Sequence, residues 1–257
     1  MSILILKLVM APIMIGLASL AGRRWGSAVS GWIVGLPLTS GPVVFIITLS
    51  HDRAFAFDAV RGVLSGGFSL IAYALVYAWT TRRFNWHISL AASILVFAGM
   101  TRLLQDLSMS FLPLFFAILG TILLGLWLMP KQASVKNPST PGKWDIPARM
   151  AIGTSFILLV TGIAPYIGSR LTGLLTTIPL YISILTAFAH RHQGSPGAVS
   201  VLRGLVYGLF AFAAFYLVLG LLIENHSLAV AFGAAILAAL IVQGLTLLIL
   251  QKNPSSP

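Results

Sequence analysis

Cysteine is absent from the 257 residues. Its absence excludes disulfides, thiolate metal sites and a cysteine nucleophile together, and it leaves the redox compartment open. Charge is scarce as well: Asp, Glu, Lys and Arg make up 8% of the chain, against roughly a quarter in an ordinary soluble domain. A water-facing surface cannot be built from so few charges, so most of the surface must face lipid. Acidic residues are the scarcest, 5 against 16 Lys and Arg, for a formal net charge of +11. In a soluble chain that excess would point to nucleic acid. Here the basic residues stand in ones and twos between apolar runs, with no basic helix and no aromatic stacking platform. The excess therefore reads as loop charge that orients a membrane protein, and no nucleic-acid partner is expected. Signatures of catalysis are missing too. There is no Gly-rich phosphate loop, no metalloprotease helix and no embedded Asp pair, so neither an enzyme nor a cofactor is expected.

What is present is apolar, 58% of the chain. A bilayer core of roughly 30 Å is crossed by about 20 apolar residues in a helix. Nine runs qualify: Ile3–Ala21, Val29–Leu49, Phe55–Thr80, His87–Leu104, Ser110–Met129, Met150–Ile167, Leu171–Phe188, Ala198–Ile223 and Leu228–Leu250. They are continuously apolar and lack the alternation of a barrel strand. The expected fold is an all-α polytopic membrane protein of about nine transmembrane helices. The first run has no basic leader and is followed by Arg23-Arg24, so it reads as an uncleaved helix and not as a signal peptide. The long polar stretch, Pro130–Arg149, carries four prolines and reads as a linker.

Sliding the sequence by 142 residues aligns its halves without a gap. Gly26-Ser27 falls on Gly168-Ser169, Gly31 on Gly173, Pro37-Leu38 on Pro179-Leu180, Arg61-Gly62 on Arg203-Gly204 and Gly66 on Gly208, with 13 identities over the 51 positions from Gly26 to Val76. Shared Leu and Ala would be trivial in apolar helices, whereas matching Pro, Arg and Gly at fixed spacing are not. The chain divides into a first four-helix repeat over 1–107, a linker helix and basic loop over 108–146, and a second repeat over 147–257. Helix five, Ser110–Met129, has no counterpart, so five crossings precede the second repeat and it enters from the opposite side. The repeats are expected to be inverted. With the N-terminus outside, ten loop Lys and Arg lie in the cytoplasm and four outside, which favours that orientation and a cytoplasmic C-terminus.

Each half has a Gly-x5-Pro-Leu stretch, Gly31 to Leu38 and Gly173 to Leu180. Each continues through a polar loop, His51-Asp52-Arg53 or His190-Arg191-His192, into a helix opening with Val60-Arg61-Gly62 or Leu202-Arg203-Gly204. This order resembles the GlpM family of small bacterial inner-membrane proteins, most closely over Pro179–Gly208. The resemblance covers most of each half but neither helix five nor the linker. It implies a fused pair of such units in a bacterial inner membrane, and it implies no defined activity.

Arg61 and Arg203 are the sharpest candidate site residues. Arginine at bilayer depth costs roughly 2.5–3.5 kcal/mol or more and usually faces a bundle interior. The two could bind an anionic group, or each could snorkel to the headgroups. Asp58, three residues before Arg61, could neutralise it. Pro37 and Pro179 interrupt helices two and seven at matching positions, and paired broken helices point to a binding site. Thr39 and Ser40 lie beside one break; Thr176, Thr177, Tyr181 and Ser183 surround the other. His190 and His192 have no third ligand near them, so no metal is expected. Gly62 with Gly66, and Gly204 with Gly208, suit close helix packing. The expected function is a transporter or channel for a small solute, an anion among the candidates, with the path between the repeats. The alternative is a non-transporting accessory subunit, for example of an envelope polysaccharide system. Expected partners are the bilayer and the solute, with a homo-oligomer or a membrane partner protein left open.

Overall fold

The computed structural model describes residues 2–38, 40–50, 52–105, 109–131, 144–156, 158–159 and 179–252, with side chains from residue 12 to residue 250. Among the described residues there are nine helices and no strand. They are α1 (Ser2–Trp25), α2 (Ser27–Val34), α3 (Ser40–Ser50), α4 (Arg53–Thr80), α5 (Trp86–Leu104), α6 (Phe111–Leu128), α7 (145–156), α8 (Leu180–Leu222) and α9 (Leu228–Lys252). The protein is an all-α membrane protein. Hydrocarbon offers no partner for a free backbone N–H or C=O, and a helix satisfies both within itself. Among the described residues α4, α5, α6, α8 and α9 are long and apolar enough to cross a bilayer.

The pattern of burial agrees with lipid outside. On α9 the inner face is small or polar, with Ala231, Ala235, Ala239, Gln243 and Thr246 buried, while Leu237, Leu240, Ile241, Leu245 and Leu248 are exposed. A soluble helix would reverse this arrangement. Between helices in a bilayer, association depends on close van der Waals packing, and small residues permit it.

α4 and the second part of α8 form the centre, flanked by α5 and α9, with α6 between them. Asp52 caps α4, its Oδ1 accepting from the backbone N–H of Phe55 at 2.8 Å. The end of α4 at Thr80 and the end of α8 at Leu222 lie 142 residues apart, as do the starts of α5 at Trp86 and α9 at Leu228.

Three expectations need correction. His190, Arg191 and His192 do not lie in a loop. α8 runs helically past them and bends at Gly194, whose φ of 69° is open to glycine and strained for other residues. We call the part before this bend the first arm of α8 and the part after it the second. The linker is shorter than Pro130–Arg149, because α7 begins at Asp145. The run Val29–Leu49 is not one span but two short helices, α2 and α3, parted around Pro37. Thr39, His51, Gly173, Thr176 and Thr177 lie outside the described residues.

Candidate functional site

The site begins at the two prolines. Pro37 has no N–H to donate and its ring crowds the preceding turn, so α2 stops before it. α3 restarts at Ser40, with Pro42 in its first turn, where a missing donor costs nothing. Pro179 stands in the same relation to α8, as the residue before its first turn. Ser40 at the start of α3 is half-buried, and Ser183 in the first turn of α8 is buried. Ser183 Oγ lies 3.0 Å from Tyr73 Oη, both residues buried. The hydroxyl of Tyr216 is fully buried and has no hydrogen-bond partner among the described residues. The second half thus sets a serine at the start of α8 against a tyrosine on the long helix of the first half.

Tyr73 opens a longer polar seam. Tyr73, Tyr77 and Thr81 recur every four residues and share one face of α4. Opposite them, the first arm of α8 presents Ser183, Thr186 and His190. Tyr77 Oη is 3.5 Å from His190 Nδ1, and Thr81 Oγ1 lies 3.1 Å from that nitrogen and 3.0 Å from Nε2. The hydroxyl of Thr186 is buried without a partner among the described residues. Eight residues of helix make this seam about 12 Å long.

Beyond His190 the seam ends in a buried ion cluster. The Asp145 side chain is 4% exposed, with Arg149 Nη2 at 2.8 Å, His192 Nε2 at 3.1 Å and Arg23 Nη2 at 3.5 Å. Arg149 also lies over the ring of Phe188. Next to the cluster, Ser27 donates to Gln193 Oε1 at 2.6 Å. The ends of α1 and of the first arm of α8 meet here with the starts of α2 and α7. Two arginines against one aspartate leave this end positive even with a neutral histidine.

The structure does not bring Arg61 and Arg203 together. Arg61 Nη2 donates to the carbonyl of Met109 at 2.7 Å, immediately before the cap of α6. Arg203 Nη2 donates to the carbonyl of Pro130 at 3.0 Å, just past the other end of α6. At 1.5 Å per residue the two carbonyls are about 30 Å apart, so the arginines hold opposite ends of one helix. Asp58 is largely exposed and pairs with Arg61 at 3.2 Å. Tyr181 is half-buried and lies about 200° around the helix from Ser183. Arg203→Ala is expected to lower stability by about 1.5–3 kcal/mol, the worth of a hydrogen bond from a charged donor. Thermal unfolding in detergent measures this, and an unchanged midpoint would show that the contact is not maintained.

No family model matches the sequence, and no curated protein or solved structure is significantly similar to it. Sequence reasoning named Ser40 and Ser183 but missed Tyr73, Tyr77, Thr81, Thr186, Tyr216 and the Asp145 cluster. The four-residue spacing of Tyr73, Tyr77 and Thr81 in an otherwise apolar helix was a usable signal. So was Asp145, one of five acidic residues in the chain.

Proposed function

We propose that this chain is a membrane transporter or channel for a small solute, built from two inverted repeats, with the path along the polar seam between α4 and α8. The observation that carries the reading is the buried pairing of Ser183 of the second half with Tyr73 of the first, which opens the polar seam between the halves. Buried hydroxyls in a bilayer are costly unless they bond to each other or to a solute. Inversion is supported by α6. Arg61 and Arg203 occupy equivalent positions, yet they bond to opposite ends of this one crossing helix. Parallel repeats would set them at the same depth. The excess of positive charge around Asp145 favours a small anion. The GlpM-like order of motifs fits a fused pair of units in a bacterial inner membrane, and the loop charges fit an outside N-terminus and a cytoplasmic C-terminus.

Flux into proteoliposomes, followed by light scattering under gradients of small anions and neutral solutes, tests the function. Ser183→Ala and Tyr73→Phe are each expected to change the rate of the transported solute about tenfold, with the thermal midpoint nearly unchanged. Absence of flux for every solute, together with a stably co-purifying membrane protein, would favour the accessory-subunit reading. Topology is tested separately, helped by the cysteine-free background. Ala54→Cys is expected to label from outside intact cells with an impermeant thiol reagent, and Arg191→Cys only after permeabilisation. Labelling of both from one side would overturn the inversion.

A further inference from the structure

α4 and α6 end side by side, at Thr80 and Leu128, and their last turns are tied together. Trp79 Nε1 donates to the carbonyl of Leu128 at 3.0 Å, which holds the indole across the gap between the two helices. The turn after α6 is held as well, because Arg203 Nη2 on the second arm of α8 donates to the carbonyl of Pro130 at 3.0 Å. Lys131 follows that carbonyl directly. On the α4 side the guanidinium of Arg82 lies over the Trp79 ring, 5.2 Å from its centroid. Trp79, Arg82, Trp127, Lys131 and Ser195 line one cleft, together with Pro196 just past the bend of α8 at Gly194.

This set of side chains suits the headgroup of a phospholipid. Arg82 and Lys131 offer charge-assisted hydrogen bonds to a phosphate, one as a planar fork and the other as a point charge. Ser195 adds a neutral donor from α8. Tryptophan settles where hydrocarbon gives way to headgroups, and Trp79 and Trp127 stand in the last turns of two apolar helices. Leu124 and Trp127, three residues apart on α6, share a face and are exposed, which gives an acyl chain an apolar surface to lie on.

The repeat supplies a comparison. The residues 142 positions after Trp79 and Arg82 are Leu221 and Glu224. A need common to every helix end would be met alike in both halves, yet the ring and the cation of the first half are replaced by an aliphatic side chain and an acid in the second. We propose that the cleft between α4, α6 and the bend of α8 binds the phosphate of an anionic phospholipid, held by Arg82 and Lys131. In the topology proposed above this end of α4 and α6 is cytoplasmic, and anionic lipid in that leaflet attracts basic residues. A lipid seated there touches both of the helices that Trp79 ties and the arm of α8 that Arg203 ties. The proposal depends on the membrane setting alone, not on transport or on inversion.

Native mass spectrometry of the purified full chain, titrated in detergent with phosphatidylglycerol or phosphatidylcholine, tests it. Phosphatidylglycerol is expected to bind saturably and more tightly than phosphatidylcholine. Arg82→Ala and Lys131→Ala should each weaken phosphatidylglycerol about fivefold, the weight of one basic residue at an anionic surface, and leave phosphatidylcholine unchanged. Arg102→Ala removes the same charge outside the cleft and should change neither lipid. Equal loss in Arg102→Ala and Arg82→Ala would overturn the proposal, since the lipid would then be reading net charge alone. Unchanged phosphatidylglycerol binding in Lys131→Ala would overturn it too, and Lys131 stands in an exposed turn, so this variant decides the matter even if Arg82→Ala fails to fold. Inorganic phosphate at the same concentration should not displace the lipid, and displacement would assign the cleft to a free anion. Lipid binding is read without flux or cysteine labelling, so failure here is distinguishable from failure of the transport or inversion reading.

Discussion

Gly204→Leu is expected to leave no folded protein after detergent extraction, and Gly31→Leu the same. At the crossing of α2 with α8, a Cβ at Gly31 would fall on the carbonyl of Val201, and one at Gly204 on the carbonyl of Ala28. A Cβ at Gly35 would lie 2.5 Å from the Cα of Gly208, and one at Gly208 would lie 2.5 Å from the Trp32 carbonyl. These are backbone atoms that cannot rotate aside. The helices could only separate, and separation would break both bonds between Trp32 and α9, from Trp32 Nε1 to Thr246 Oγ1 at 3.0 Å and from Gln243 Nε2 to the Trp32 carbonyl at 2.9 Å. Even Gly204→Ala should cost about 3 kcal/mol, the upper part of the usual range for overpacking. That is a large share of the roughly 5–15 kcal/mol that holds a typical protein folded. Gly233 is the control. It lies exposed on α9 with no described residue within 4 Å of a Cβ there, and Gly233→Ala should be neutral or stabilise by up to about 1 kcal/mol, since glycine weakens a helix interior. Fluorescence-detected size exclusion and thermal unfolding measure all four variants. A wild-type midpoint for Gly204→Ala would mean that the two helices stand further apart than described.

Asp145→Ala should be nearly as damaging, by about 3–5 kcal/mol, because it removes the anion from a buried pair and strands the cation. Arg149 is 12% exposed and 2.8 Å from Asp145, so water cannot replace the lost partner. Arg23 would repel Arg149 in the same space. Neutralising both members of the closest pair, as in Asp145→Asn with Arg149→Met, should recover much of the loss, since an apolar pair can replace a buried ion pair at little cost. The loss should persist in high salt, because screening acts weakly on buried charges. Thermal midpoints of the single and double variants at low and high ionic strength form the test. Additive losses in the double variant would show that Asp145 and Arg149 do not act as a pair.

The sequence by itself determined the solvent of this protein and the kind of element it uses. A chain with 8% charged residues and long apolar runs can close its backbone hydrogen bonds in lipid only as helices. It also marked where helices must stop. Proline lacks a donor wherever it stands, so the end of α2 before Pro37 and the start of α8 after Pro179 were legible. These are local effects of covalent structure, and they need no knowledge of neighbours.

Partners were decided by the tertiary structure. Arg61 and Arg203 looked like a pair because they are equivalent in sequence, yet each bonds to a different end of α6. Equivalence under an alignment carries no distance. His190 and His192 read as loop residues because the polar run from His190 to Gln193, with Gly194 and Pro196 just beyond, interrupts the apolar pattern. The structure carries the helix through them to Gly194, and it sets one against Thr81 and the other against Asp145. Asp145 looked like linker because its neighbours are proline and lysine, and only packing showed it buried among two arginines and a histidine. Gly204 and Gly62 are indistinguishable along the chain, but one meets a backbone and the other, among the described residues, lines a cavity. A side chain's chemistry is written in the sequence, whereas the charge, hydroxyl or backbone placed opposite it depends on how helices distant in sequence cross, and that was visible only in three dimensions.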